Sequence, residues 1–172
     1  MNYIGLSGYD TANGPGVRVS LFVSGCRVHC KGCFNEESWS FTAGKPFTEA
    51  TEAQIMKALD SKWIAGLSLL GGDPFEPEHA ETLTGLLKRI KERFPEKTIW
   101  VWTGRTYAHV KDSPLMPYID MLVDGPYVQK LHVEKQGAWR GSTNQRFIPL
   151  VAGHVDESPA GRERSETAER TH

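Results

Sequence analysis

Apolar positions along this chain change their period from segment to segment, and the changes mark out its elements. Val17–Val23 (VRVSLFV) alternates apolar and polar residues, which predicts a half-buried strand. Residues 48–59 carry Ile55, Met56 and Leu59 at helical spacing behind Thr48, a natural N-cap. Residues 67–70 form a short apolar run that stops at Gly71-Gly72. A longer helix then begins with Pro77 near its first turn. Its stripe is Ala80, Leu83, Leu86, Leu87, Ile90 and Phe94, and Pro95 closes it. Thr98–Trp102 reads as a strand ending at Thr103-Gly104, 107–111 as a short helix, 119–123 as a strand ending at Asp124-Gly125-Pro126, and 146–150 as a last strand.

Strands alternating with amphipathic helices predict an α/β fold with a mostly parallel sheet. Right-handed crossovers place the C-terminal ends of such strands on one edge, where ligands bind. The polar and glycine-rich stretches Ser24-Gly25-Cys26, Gly71-Gly72-Asp73, Thr103-Gly104 and Asp124-Gly125 all fall at those ends. A closed eight-fold barrel typically needs about 250 residues. The chain has 172, so an open partial (βα) barrel is expected. Residues 1–152 form the predicted domain. Residues 153–172 are polar and lack any large apolar side chain past 156, which predicts a disordered tail.

Composition narrows the function classes. Mean hydropathy is −0.42, and no apolar run approaches the roughly 20 residues of a membrane span. The first residues show no basic stretch followed by an apolar one, so no signal peptide is expected. The formal net charge of −1 offers no electrostatic footprint for nucleic acid or an anionic membrane. A cytoplasmic protein is expected.

All 3 cysteines lie within one short stretch, as Cys26-Arg27-Val28-His29-Cys30-Lys31-Gly32-Cys33. Clustered thiols in a reducing compartment point to metal chemistry rather than a disulfide scaffold. The spacing C-x3-C-x2-C curls three thiolates around one centre. A cubane iron–sulfur cluster has four irons, so three cysteines leave one iron open to a ligand. Structural zinc is the rival, with His29, His132 or His154 as fourth ligand. Four ligands drawn from so short a stretch would be cramped if His29 served. Two further readings stay open: a plain electron-transfer cluster, which normally takes four cysteines, and three buried structural cysteines.

C-x3-C-x2-C followed by Phe34 resembles the signature of the radical S-adenosylmethionine (SAM) superfamily. Several further stretches resemble one branch of it. They are Asn13-Gly14-Pro15-Gly16-Val17-Arg18, Leu21-Phe22-Val23-Ser24-Gly25-Cys26, Gly71-Gly72-Asp73-Pro74, Trp100-Val101-Trp102-Thr103-Gly104, Leu122-Val123-Asp124-Gly125 and Trp139-Arg140-Gly141-Ser142-Thr143-Asn144-Gln145. That branch is the activating proteins of anaerobic (class III) ribonucleoside-triphosphate reductase, and the resemblance runs from residue 1 to about 150.

The resemblance implies a radical SAM partial barrel in which Cys26, Cys30 and Cys33 hold a 4Fe-4S cluster with one open iron. It implies reductive cleavage of SAM to methionine and a 5′-deoxyadenosyl radical, and a glycyl radical raised on the reductase. Gly32, Cys33 and Phe34 would contact SAM, Phe34 near the adenine or else as a core aromatic. Gly71, Gly72 and Asp73 would meet its methionine ammonium, and Thr103 and Asp124 would line its carboxylate or ribose region. The wider superfamily usually has Glu where Asp73 stands, and this branch has Asp. No side chain is expected to act as a catalytic base. Expected partners are the large subunit of the reductase and an electron donor of the flavodoxin type, with a homodimer or a hetero-oligomer as the assembly. Asn13 and Arg18 would order the N-terminal strand or touch the partner. Residues 140–145 would close the site or meet the partner. His79 reads as solvated on the polar side of its helix, and His109 and His172 carry no signal. Competing functions are a formate-lyase activase, a 7-carboxy-7-deazaguanine synthase type of enzyme, and a non-enzymatic metal-binding module.

Overall fold

The computed structural model describes residues 1–134 and 138–170. One eight-stranded sheet organises them, with strand order β3-β1-β2-β4-β5-β6-β7-β8. Its centre is β2 (Val17–Val23), β4 (Ile64–Gly71), β5 (Thr98–Trp102) and β6 (Met121–Asp124), all parallel. On one side lie β1 (Asn2–Asp10) and the two-residue β3 (Lys45–Pro46). On the other lie β7 (Arg146–Val151) and the two-residue β8 (His154–Val155), and both flanks are antiparallel. The expectation of a mostly parallel sheet therefore holds for the centre only. Parallel strands need long crossovers, and helices join the central ones.

Those crossovers are α1 (Glu49–Leu59), α2 (Ala80–Arg93) and the single turn α3 (Tyr107–Val110). Thr48 caps α1 in a reciprocal box with Thr51, as its residue type predicts. The α2 stripe of Leu83, Leu86, Leu87 and Ile90 is fully buried, at about 1.5–3 kcal/mol for each side chain removed from water. It packs on one face of the sheet against Val19, Leu21, Leu67, Leu69, Ile99, Val101 and Leu122.

The other sheet face is built differently. Trp100, Met121, Val123 and Phe147 form a second cluster, with Trp102 and Trp139 against it. Beside it Arg18 is wholly buried. Its guanidinium donates to Ser68 Oγ, Thr98 Oγ1 and the carbonyls of Leu67 and Thr98. Arg18 thus ties β2, β4 and β5 together from within and is no partner contact. Asn13 steadies the β1–β2 turn through Asp10 Oδ2 at 2.6 Å.

The structure corrects the reading of 153–172 as a disordered tail. Residues 154–155 extend the sheet, and α4 (Pro159–Arg170) packs on β7. Gly161 and Ala168 are buried there, and Ser165 Oγ donates to the Phe147 carbonyl at 2.9 Å. His172 lies outside the described residues.

Candidate metal centre

The chain leaves β2 at Val23 and is at once pinned on both sides. Gly25 N donates to Ser38 O at 2.7 Å and Cys26 N to Trp39 O at 3.1 Å. The cysteine loop then coils through two left-handed residues, His29 (φ 49°) and Gly32 (φ 73°). At Gly32 the left-handed φ is what calls for glycine, since the atoms a Cβ would meet are the flexible end of the Gln129 side chain. Cys33 N donates to Cys30 O, which closes the coil.

Cys26, Cys30 and Cys33 are free and partly buried. All three line one cavity of about 350 Å³. The Gly71-Gly72 turn after β4 and Thr103-Gly104 after β5 line it as well. Phe22, Val28, Leu70 and Trp102 make much of the remaining wall apolar, and Phe34 and Tyr127 stand beside it. Burial pushes the Cys26 thiol up from its ordinary range, and the carboxylates of Asp73 and Glu76 add to this. Burial likewise raises Cys30, with Cys33 and Asp73 adding their repulsion. Against this, backbone amides of His29 and Val28 point at Cys26, that of Tyr127 at Cys30, and Asn35 N lies 3.4 Å from Cys33 Sγ. Cys26 and Cys30 thus combine N–H donors with a negative neighbourhood, and Cys33 has the Asn35 N–H. Such a set holds its thiolates only around a cation, and amide–sulfur hydrogen bonds are a recognised feature of iron–sulfur ligation. The residues present fit a cluster.

The histidines considered for zinc are engaged elsewhere. His29 stacks on Trp39 with ring centroids 4.3 Å apart. His132 Nδ1 pairs with Tyr127 OH at 3.2 Å. His154 is exposed on β8.

Of the expected SAM-contact residues, Cys33, Phe34, Gly71, Gly72 and Thr103 line the cavity, and Gly32 shapes its loop. Two do not reach it. The Asp73 side chain is wholly buried behind the turn, where it accepts from Thr103 Oγ1 at 2.9 and 3.0 Å and from Phe75 N at 3.0 Å. Burial pushes its carboxyl up, opposed by Phe75, Thr103 and Arg105. Asp124 accepts from Tyr107 N at 2.6 Å and from both arms of the Arg146 guanidinium. Phe34 is no core aromatic. It is 81% exposed at the cavity mouth, edge-on to Tyr127. His79 is 1% exposed rather than solvated, because it sits in a 3-10 turn ahead of α2 and packs towards Phe41.

Sequence reasoning missed Val28, Trp39, Trp102 and Tyr127 as wall residues. Trp102 alone left a signal, since it shares a strand face with Trp100. The 140–145 stretch supplies Gly141 and Gln145 to the wall. Gln145 Oε1 accepts from Gly141 N and Ser142 N, and its Nε2 donates to Gly125 O.

Comparison with known proteins agrees with this chemistry. Residues 12–148 match the family model described as a 4Fe-4S single cluster domain. An anaerobic ribonucleoside-triphosphate reductase-activating protein of Pasteurella multocida (strain Pm70) is 46% identical over 151 residues, covering 84% of this chain and 95% of the relative. Proteins of the same description from Enterobacteria phage T4 and Escherichia coli (strain K12) are each 42% identical. They cover 86% and 84% of this chain, and 93% and 96% of their own lengths.

Proposed function

Because this chain belongs to the 4Fe-4S single cluster domain family and to the anaerobic ribonucleoside-triphosphate reductase-activating proteins, we propose that it raises a glycyl radical on such a reductase. Cys26, Cys30 and Cys33 would hold a 4Fe-4S cluster, which once reduced would supply the one electron for reductive cleavage of SAM, the chemistry that generates the radical. The observation that supports this reading is one cavity lined by all three cysteines and by Gly71-Gly72.

The remaining steps belong to the chain's own residues. The backbone at Gly71-Gly72 lines the cavity, and its missing Cβ atoms let it lie against the backbone of residues 22–25, where its carbonyls would receive the SAM ammonium. Thr103 gives its proton to Asp73 and accepts from Arg105 N at 3.1 Å, so it shapes the wall rather than charging it. Asp73 acts through Thr103 and Arg105, and Asp124 fastens β7 and the loop before α3. Neither is a SAM ligand in this reading. Leu70, Trp102 and Phe34 exclude water around a radical that would otherwise be quenched. The fold serves as an open partial barrel of the radical SAM type, wide enough for a protein substrate. Partners are the reductase large subunit and a flavodoxin-type electron donor in the cytoplasm. Among the described residues no helix is long and apolar enough to cross a membrane.

The test is anaerobic reconstitution with iron and sulfide, followed by reduction and SAM with a class III reductase. About four irons per chain and a glycyl radical by electron paramagnetic resonance (EPR) are expected. One zinc, or no radical with a competent reductase, would overturn the reading.

A further inference from the structure

We propose that Glu76 is a positioning residue that sets the cysteine loop against the SAM-binding turn. The inference rests on the function proposed above and concerns a residue that does not touch the cavity.

Parallel pairing of β2 with β4 ends at Val23 and Gly71. Beyond that point the two chains stay zipped by a run of single bonds. Gly72 N donates to Val23 O at 2.7 Å and Asp73 N to Gly25 O at 2.8 Å. The next bond uses a side chain where the backbone no longer reaches: Arg27 N donates to Glu76 Oε1 at 2.8 Å. That amide belongs to the peptide bond leaving Cys26, so Glu76 fixes the direction in which the loop departs from its first sulfur.

Glu76 gathers two guanidinia as well. Arg27 Nη1 lies 2.6 Å from Oε2, and Arg105 Nη2 lies 2.7 Å from Oε1. Arg105 stands on the β5 loop and reaches Asp73 with its Nε at 3.4 Å. One carboxylate thus joins the strand-end loops of β2, β4 and β5. The Glu76 side chain is 0% exposed while Arg27 is 53% exposed. A buried carboxylate with three donors is costly to assemble and is better explained by the geometry it enforces. Groups that orient metal ligands from behind typically change affinity 10–100-fold when removed.

The experiment compares wild type, Glu76→Gln and Glu76→Ala, each reconstituted anaerobically. Iron content, melting temperature, SAM affinity and the SAM-induced change in the reduced-cluster EPR spectrum are read for each. Glu76→Gln keeps an acceptor for Arg27 N and removes the negative charge that faces both guanidinia. SAM affinity should fall in Glu76→Ala and by less in Glu76→Gln, with an altered SAM-induced spectrum, and SAM cleavage read as 5′-deoxyadenosine should slow roughly tenfold or more in Glu76→Ala. If Glu76→Ala fails to fold, the near-isosteric Glu76→Gln decides. SAM affinity and spectral response equal to wild type would overturn the inference, even with a lowered melting temperature. A wild-type cluster that ignores SAM would overturn the functional reading and the inference with it.

Discussion

A single atom separates glycine from alanine, and two glycines in this chain give that atom opposite consequences. At Gly72 a Cβ would lie 2.4 Å from the Gly25 carbonyl, which is backbone and cannot swing away. Gly72→Ala should destabilise the protein by about 1–3 kcal/mol and lower its iron content, measured by urea denaturation and metal analysis. At Gly85, inside α2, the nearest atom is the far end of the Arg89 side chain at 3.1 Å. Gly85→Ala should therefore stabilise, by up to about 1 kcal/mol from helix propensity. His79 gives a pH dependence. Burial holds its imidazole below the ordinary 6.5, so the unfolded chain takes up the proton first. The stability present above 6.5 is lost as pH falls below it towards the folded value. Between about pH 7 and pH 5 the urea midpoint of wild type should fall more than that of His79→Phe. At this scale local spacing puts the cysteines and Gly71-Gly72 at strand ends, and the structure brings them to one cavity. Asp73 and Asp124, expected at the SAM site, are held by Thr103, Arg105 and Arg146, partners far along the chain that leave no local signal.

Elements were legible in proportion to the size of the side chains that mark them. The α2 stripe is made of Leu and Ile and could be read directly. The contact face of α4 is Gly161, Ser165 and Ala168, which keeps helical spacing with residues too small to register as apolar. β1 is half-buried along nearly its whole length and has no alternation to detect. Two substitutions test these assignments. Thr48→Ala should cost about 1 kcal/mol by removing one half of the α1 capping box, read from urea denaturation. Ala168→Arg forces a long side chain into a site 2% exposed against Trp100 and Phe147. It should cost about 1–3 kcal/mol and reduce helical circular dichroism, while iron loading stays near wild type because α4 lies on the flank of the sheet.

For the molecule as a whole, cluster loading couples folding to protons. Cys26 and Cys30 sit above their ordinary thiol range in the metal-free protein, so binding iron must expel their protons. Apparent affinity for iron and sulfide should rise with pH across the neutral to mildly alkaline range, in a titration followed by absorbance. The loaded protein should also melt at higher temperature, since the unfolded chain holds no cluster.

Phe34 belongs to the cavity wall and to the outer surface at once. Under the proposed function, SAM seated beneath that ring and a reductase arriving from outside would meet the same side chain, so whatever factor SAM added to the grip on the reductase, the reductase would add to the grip on SAM.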